Sequence, residues 1–161
     1  MFYDTFDSPI GIITLATDGV YIRELHIEGD RYFKVIPDSW KCMPTTPILV
    51  QGRRELEHYF KAKNYTFSLP ILYKGTEFQE KVWRELQAIP TGKTVGYAEL
   101  AQRVGRPGAA RAVGTAVGHN PICIIVPCHR VIASSGGLGG YVAGLERKQY
   151  LLKHEYSLTR Q

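Results

Sequence analysis

The stretch Pro127-Cys128-His129-Arg130-Val131-Ile132 sets a cysteine between an apolar run, residues 122–126, and a histidine and an arginine. A thiol is a weak nucleophile until it loses its proton, and cationic neighbours favour that loss. The apolar run predicts a strand that ends at Pro127 and holds the thiol rigidly at the edge of the core. Neighbouring residues on a strand point to opposite faces, so His129 alone does not decide whether Cys128 is a nucleophile or a small buried apolar residue.

Glu155 is the second residue that bears on this thiol. The last predicted helix runs from about Leu145 to Glu155, and its apolar positions Leu151 and Leu152 lie four and three residues before the carboxylate. Burying a carboxylate alone is costly, and a histidine is a natural partner for it. Glu155, His129 and Cys128 would then act as orienter, base and nucleophile. The alternative is a rim position at which Glu155 pairs with a lysine.

The rest of the chain predicts a first half rich in strands and a second half that is mostly helical. Asp18-Gly19 is a hairpin signal between two β-rich runs, and Thr76 with Gln79 forms a capping box that begins a helix. The predicted strands are 12–16, 20–27 and 65–69, and the other predicted helices are 46–62, 97–104 and 109–119.

The helices at 97–104 and 109–119 flank a glycine-containing turn and predict a helix-turn-helix. The second is rich in alanine and glycine, with Arg111 among them, so its backbone can approach a partner closely. The net charge of +5 falls entirely within residues 77–161, which hold eleven Lys/Arg and six Asp/Glu. These features favour a polyanion as the binding partner, most commonly a nucleic acid. The alternatives are tight internal packing of the helix and an ordinary solvated surface.

Length and composition limit the number of domains, the cellular location and the kinds of cysteine site. A chain of 161 residues holds one ordinary domain or two small ones. It has no apolar run long enough to span a membrane, and its first residues do not resemble a signal peptide, so we expect a cytoplasmic protein. Its three cysteines, Cys42, Cys123 and Cys128, include no Cys-x-x-Cys pair, which argues against a disulfide framework and a structural zinc site. We expect no metal and no cofactor.

Residues 127–132 resemble the active-site signature of the O6-alkylguanine-DNA alkyltransferases, the methylated-DNA–protein-cysteine methyltransferases. Other segments resemble motifs of this family in the same order: Ile89-Pro90-Thr91-Gly92 with Tyr97, Ala110-Arg111-Ala112-Val113-Gly114, Asn120-Pro121, Gly140-Tyr141, and Leu151-Leu152 with Glu155. The resemblance covers residues 76–157 closely and the first half more loosely, through Ser8-Pro9-Ile10-Gly11.

The resemblance implies an α/β (α+β) fold with two domains. Residues 1–75 would form a small ribonuclease-H-like α/β domain, and residues 76–161 a mostly helical domain with a winged-helix-like helix-turn-helix. The implied function is DNA repair by direct reversal, in which the alkyl group on O6 of guanine, or on O4 of thymine, passes to Cys128 irreversibly and once per molecule. The expected partner is double-stranded DNA bound through its minor groove. We expect a monomer with no obligate protein partner and no membrane association.

The resemblance also implies roles for single residues. The counterpart of His129 takes the thiol proton through a water, and that of Glu155 holds the imidazole. Asn120 would bridge the recognition helix and the active-site strand, and Tyr97 would protonate the departing guanine. Arg111 would fill the gap that the flipped base leaves in the stack. The other implied contacts to substrate or DNA are Ala110, Arg130, Val131, Tyr141 and Val142.

Three positions depart from the pattern of the family. Val142, followed by Ala143, stands where a small hydroxyl residue is common, and Cys123 stands where proline is common. These differences leave open which alkyl groups are accepted. Two other functions remain as alternatives. One is a non-catalytic relative that only recognises alkylated guanine, which would lack Cys128. The other is a helix-turn-helix regulator with a structural or redox-sensing cysteine, which would need a dimer interface and major-groove side chains.

Overall fold

The computed structural model describes residues 1–61, 65–133 and 136–159, without the side chains of residues 157–159. Its N-terminal half is built on a four-stranded sheet with the spatial order β3-β2-β1-β4. The first three strands form an antiparallel meander, and the fourth joins β1 in parallel. The strands are β1 Phe2–Ser8, β2 Gly11–Thr17, β3 Ile22–Ile27 and β4 Lys41–Cys42.

Short polar side chains fix both hairpin turns of this sheet. The hydroxyl of Ser8 accepts a hydrogen bond from the backbone N–H two residues further on. The carboxylate of Asp18 accepts from the N–H groups two and three residues further on. Such local bonds favour turns over continued strands. The predicted strands at 12–16 and 20–27 are confirmed, and the second begins at Ile22.

Helix α1, Pro47–Lys61, packs against the sheet. Gly52 allows the close approach, because a β-carbon there would come within 2.5 Å of the Leu15 side chain. The apolar periodicity of residues 46–62 therefore predicts this helix correctly, although Ala62 lies outside the described residues.

The C-terminal half carries four α-helices in its described residues. They are α2 Glu77–Gln87, α3 Tyr97–Arg103, α4 Ala110–Gly118 and α5 Leu145–Thr159. The capping box predicted for Thr76 and Gln79 begins α2, and α3 and α4 pack against each other as the predicted helix-turn-helix. Two short strands, β5 Val95–Gly96 and β6 Val131–Ile132, pair in parallel. The indole N–H of Trp83 donates to the carbonyl of Ala116 at 2.9 Å and joins α2 to α4.

One cluster of buried apolar side chains runs through both halves of the described chain. Backbone bonds at Leu25 reinforce it: its N–H donates to the carbonyl of Pro121 at 2.9 Å, and its carbonyl accepts from Cys123 at 3.1 Å. The segment before the cysteine signature is therefore anchored directly on β3. In the ranges that the structure covers, no helix has the length and apolarity needed to cross a bilayer.

The predicted strand at residues 65–69 is wrong. The carboxylate of Glu55 on α1 accepts from both the N–H and the hydroxyl of Ser68, at 2.8 and 2.9 Å. These bonds hold the segment against the helix. It meets the sheet only afterwards, through a bridge between Ile71 and Ile22.

The predicted strand at residues 122–126 is also wrong, because these residues form a turn in which Ile122 alone bridges to Leu25. Asn120 is the physical reason. Its side-chain amide donates to the carbonyl of Val126 at 2.7 Å and its oxygen accepts from the N–H of Ile122 at 3.0 Å, which folds the run back on itself. Ile124 has a φ of 70°, a left-handed conformation that is costly for a β-branched residue.

Candidate active site

The signature residues Cys128–Arg130 form one turn of 3-10 helix rather than the end of a strand. Since such a helix has three residues per turn, the three side chains point in three directions. Cys128 faces a surface cleft, whereas His129 and Arg130 face the protein interior. The side chains of His129 and Arg130 therefore point away from the thiol, although all three residues lie within one turn.

Glu155 lies at the centre of a buried polar cluster and is 1% exposed. One of its oxygens accepts from Nε2 of His129 at 2.7 Å and from the hydroxyl of Tyr59 at 2.6 Å. Arg130 donates to both oxygens, at 2.8 and 3.0 Å. The rim position considered for Glu155 is therefore wrong, and the pairing with a histidine is present. The sequence reasoning missed Tyr59, which the apolar periodicity of α1 counts as a core residue only.

The charges in this cluster favour an ionised Glu155 and a neutral His129. Burial raises the pKa of Glu155, but the hydrogen bonds that it accepts from His129 and Arg130, together with the positive charge of Arg130, outweigh burial and hold this pKa well below its usual value. Burial lowers the pKa of His129, and the attraction of Glu155 offsets this only in part. With Nε2–H donated to the carboxylate, the lone pair of the neutral ring lies on Nδ1. Nδ1 has no hydrogen-bond partner among the residues that the structure describes, so it is available to accept a proton.

A cleft of about 290 Å³ opens above Cys128. Five of the predicted site residues line it, and they come from α3, α4, the 3-10 turn and the end of the glycine-rich loop, residues 136–141, with the residue after it: Tyr97, Arg111, Cys128, Tyr141 and Val142. The fold thus gathers around one thiol several residues that lie up to 45 positions apart in the sequence.

Arg31 and Tyr32 complete the wall of the cleft from the N-terminal half. The N–H of Arg31 donates to the carbonyl of Val142 at 2.9 Å. The ring of Tyr32 stacks on that of His119 with centroids 4.2 Å apart. The sequence reasoning missed both residues, because residues 28–45 have mixed polarity and no periodicity that would assign them to a site.

Three groups favour the thiolate form of Cys128. The neighbouring thiol of Cys123 lowers the pKa of Cys128 more than burial raises it, and Asn120 and the charge of Lys148 act in the same direction. The contact with Cys128 and burial together raise the pKa of Cys123 well above its usual value. Cys128 is therefore the thiol of this pair that ionises.

Lys148 is a further candidate that the sequence reasoning missed. Its buried ammonium donates to the carbonyls of Val131 and Gly140, and burial lowers its pKa to about 8. It ties the glycine-rich loop to the active-site segment beside the thiol. Lys148 lies seven residues before Glu155, on the same helix face. Its spacing from Leu151 and Leu152 therefore identifies Lys148 in the same way as it identifies Glu155.

The remaining predicted residues lie outside the cleft. Asn120 joins the end of α4 to the turn before Cys128, and Ala110 begins α4 partly exposed. Arg130, predicted to contact substrate or DNA, needs a correction. It is buried and donates to the carbonyl of Ile89 at 2.6 Å as well as to Glu155, because its guanidinium neutralises the buried carboxylate. In the described ranges, no three His, Cys, Asp or Glu side chains are grouped so that they could hold a metal ion.

Two domain families together match nearly the whole chain. Residues 1–73 match the ribonuclease-like domain of 6-O-methylguanine DNA methyltransferase, and residues 77–157 match its DNA binding domain. The chain is also 43% identical to a methylated-DNA–protein-cysteine methyltransferase of Methanosarcina acetivorans, over 98% of this chain and 99% of that one. The chain belongs to the 6-O-methylguanine DNA methyltransferase family.

Other methyltransferases of the family are similar along their whole length. A methylated-DNA–protein-cysteine methyltransferase of Mycolicibacterium paratuberculosis is 46% identical over 95% of this chain and 91% of its own. The crystal structure of Mycobacterium tuberculosis OGT in complex with DNA has a TM-score of 0.89 at 42% identity, covering 98% of this chain and 94% of that one. These matches confirm the predicted family and the predicted fold, a ribonuclease-like N-terminal half followed by a helical DNA-binding half.

Proposed function

We propose that this methyltransferase repairs alkylated DNA by direct reversal, moving the methyl group from O6 of a guanine base to the sulfur of Cys128. The observation that carries the proposal is the position of this sulfur, which borders the cleft with its pKa lowered. A thiolate attacks carbon far more readily than a thiol does. The family membership of the chain and the DNA complex of its M. tuberculosis relative support the choice of substrate.

The proposed transfer is a displacement at the methyl carbon. The sulfur of Cys128 forms the new C–S bond while the C–O6 bond breaks, and the electron pair of that bond leaves on the guanine. Tyr97, which lines the cleft, supplies the proton that restores neutral guanine. The thioether product has no group beside it that could cleave it, so each molecule acts once. O4-alkylthymine presents the same kind of alkyl–oxygen bond and is a second substrate of this reaction.

His129 is the proposed base that receives the thiol proton, through a water molecule, on Nδ1. Its other nitrogen is held by Glu155, and burial keeps the ring neutral. Glu155 acts as a positioning residue because it accepts from the imidazole. Arg130 and Tyr59 position Glu155 in turn, since both donate to its carboxylate, and none of the three lines the cleft. Asn120 positions Cys128 by fixing the turn before it.

Duplex DNA is the proposed partner, with α4 in its minor groove. Small residues let the helix backbone approach the DNA closely, and a β-carbon at Gly118 would meet no atom within 4 Å. The target base must leave the stack, at a cost of about a few kcal/mol, and Arg111 beside the cleft occupies the gap. Such binding depends on salt and little on sequence, because the minor groove carries a degenerate pattern.

The flipped base enters the cleft beside Cys128. The ring of Tyr141 and the main chain at Val131 and Val142 border it there. Ala110, at the start of α4, contacts the DNA backbone.

We place the boundary between the two domains between residues 75 and 76, and the matched ranges 1–73 and 77–157 support this division. We also propose that the protein works as a monomer without a cofactor. The cytoplasm, where free thiols stay reduced, is the compartment that suits its reaction.

A duplex that carries one O6-methylguanine tests the proposal, by chromatography of the nucleosides released from the DNA after incubation with excess protein. The wild type should convert O6-methylguanine to guanine. Cys128→Ser should bind the duplex without converting it. Cys42→Ser, at an exposed cysteine outside the cleft, should convert it like the wild type.

The same experiment separates the two alternatives. Tight binding of the methylated duplex by the wild type without conversion would favour a non-catalytic reader of alkylated guanine. Equal binding of methylated and unmodified duplexes without conversion would favour a helix-turn-helix regulator.

A further inference from the structure

The two arginines that line the cleft, Arg31 and Arg111, are exposed and have no carboxylate partner among the residues that the structure describes. No aspartate or glutamate lines the cleft either. Five other arginines each pair with a carboxylate within 4 Å: Arg23, Arg53, Arg103, Arg130 and Arg147. The cleft therefore presents positive charge that the protein itself does not neutralise, which favours an anionic group of the ligand at its wall.

The acidic residues just before Arg31 in the chain are engaged elsewhere. The carboxylate of Glu28 pairs with Arg147 at 3.6 Å. One oxygen of Asp30, which is 2% exposed, hydrogen-bonds with Nδ1 of the buried His26 at 3.2 Å. Both carboxylates thus have partners of their own, and the guanidinium of Arg31 stays free for a ligand.

The backbone at Arg31 is fixed, although its side chain is exposed. The N–H of Arg31 donates to the carbonyl of Val142 at 2.9 Å. On one side of it Asp30 is buried, and on the other side the N–H of Tyr32 donates to the second oxygen of Asp30 at 2.8 Å. A group held in place before binding loses less conformational freedom when its partner arrives. Arg31 is therefore a cation that the fold places at the cleft in advance.

Arg31 and Arg111 lie near opposite ends of α4. Arg111 is in the first turn of this helix, whereas Tyr32, next to Arg31, stacks on His119 at its C-terminal end. The eight residues from 111 to 119 span about 12 Å of helix, and one DNA strand carries a phosphate about every 3.4 Å of its axis. The two arginines therefore reach different points of a strand that follows the helix.

The depth of the cleft indicates which part of a nucleotide each group meets. Cys128 is 2% exposed and lies at the bottom, so the base that carries the alkyl group must reach down to it. Arg31 is exposed at the rim, where the sugar and the phosphates of the same nucleotide remain. A guanidinium fits a phosphate particularly well, because two parallel N–H groups can donate to two of its oxygens.

We propose that Arg31 binds the backbone phosphate next to the flipped nucleotide, so that the N-terminal half forms part of the DNA interface. This inference rests on the proposed function, because it takes the flipped base as the occupant of the cleft. The contact forms only when the base has left the stack. It therefore stabilises the flipped state relative to the stacked one and offsets part of the cost of flipping.

The test is a fluorescence anisotropy titration of a labelled duplex with one O6-methylguanine, at several salt concentrations. All proteins carry Cys128→Ser, so that the lesion is not consumed. Adding Arg31→Ala removes the guanidinium but keeps the backbone N–H that binds Val142. The affinity should fall about 10-fold at low salt, the effect of one hydrogen bond to a charged group. The slope of log affinity against log salt should become shallower by about 0.9, the value for one phosphate.

Lys34→Ala, in the same Cys128→Ser protein, is the matched control. Lys34 is exposed three residues further along the chain and does not line the cleft, so its replacement removes the same charge from the same segment. The affinity and the slope should stay close to those of Cys128→Ser. An equal effect of Lys34→Ala and Arg31→Ala would overturn the proposal, because it would show a general effect of net charge.

A neutral phosphate analogue identifies the contact. Two further duplexes carry a methylphosphonate on the 5′ or on the 3′ side of the O6-methylguanine. On one of them Arg31→Ala should cost no further affinity, because the charge that it binds is already absent. The same loss on both analogues as on the natural duplex, or no loss on any duplex, would overturn the proposal. The preference of Cys128→Ser for the methylated over the unmodified duplex tests the proposed function separately.

Discussion

Replacing Glu155 by glutamine should destabilise the protein as well as slow the transfer, because this one carboxylate holds three side chains. It accepts four hydrogen bonds, from Tyr59, from His129 and twice from Arg130, and it is 1% exposed. Glutamine keeps the shape but removes the charge and points an N–H donor at groups that are themselves donors. We expect the free energy of unfolding to fall by about 3–5 kcal/mol, the usual effect of removing one partner from a buried ion pair.

Urea denaturation at neutral pH measures this change, and two variants of α1 calibrate it. Tyr59→Phe removes one of the four hydrogen bonds and keeps both charges, so it should cost about 1.5–3 kcal/mol, the range for a bond to a charged group. Glu57→Gln alters an exposed carboxylate that pairs with Arg53 at 3.2 Å, and it should leave the denaturation midpoint unchanged.

Acid should narrow the difference in the free energy of unfolding between the wild type and Glu155→Gln. The folded pKa of Glu155 lies below the ordinary value of 4.5, so its stabilisation is fully present above pH 4.5 and is lost as the pH falls through the folded pKa. The stability of the wild type itself also depends on His129: its folded pKa lies below 6.5, so burying the neutral ring stabilises the fold above that pH and less below it. A difference under about 1 kcal/mol at neutral pH, the size of one ordinary hydrogen bond, or one that does not narrow in acid, would refute this reasoning.

The remaining predictions concern the cleft and the binding of DNA. Lys148→Met removes the ammonium beside Cys128, so the pKa of Cys128 should rise and the pH–rate profile of methyl transfer should move to higher pH; an unmoved profile would contradict this role. Tyr97→Phe should slow the transfer about 100-fold, the scale of lost general acid catalysis, in a rapid-quench assay of single turnover, and an equal rate would assign the proton to another group. The logarithm of DNA affinity should fall linearly with the logarithm of salt concentration. An affinity that stays constant with salt would contradict binding through the phosphate charges. Arg111→Ala should slow the transfer but change the slope of affinity against salt little, since Arg111 is proposed to enter the base stack.

The sequence predicts the helices and singles out Glu155 because both follow from spacing within one helix. Glu155 is identified by its distance from Leu151 and Leu152, and the same spacing would have identified Lys148. The predicted strand before Cys128 is wrong because an apolar run indicates burial and does not determine the backbone conformation. The side chain of Asn120, which folds that run into a turn, acts through two bonds that no hydrophobic pattern encodes.

Contacts between the two halves are the other part that the sequence does not predict. Tyr59 reaches Glu155 across 96 positions of the chain, and Arg31 reaches Val142 through its backbone N–H, which is independent of side-chain type. The family resemblance implies that Arg130 contacts the substrate or the DNA. The structure buries it, since the carboxylate of Glu155 supplies the counter-charge that makes burial tolerable.

The most direct test of the central claim is the mass of the tryptic peptide 112–130 after reaction with a duplex that contains O6-methylguanine. We expect the peptide to gain one CH₂ unit, which fragmentation places on Cys128 and not on Cys123. The gain should stop at one methyl group per protein molecule however much duplex is added. A methyl group on another residue, or guanine restored in excess of the protein present, would contradict it.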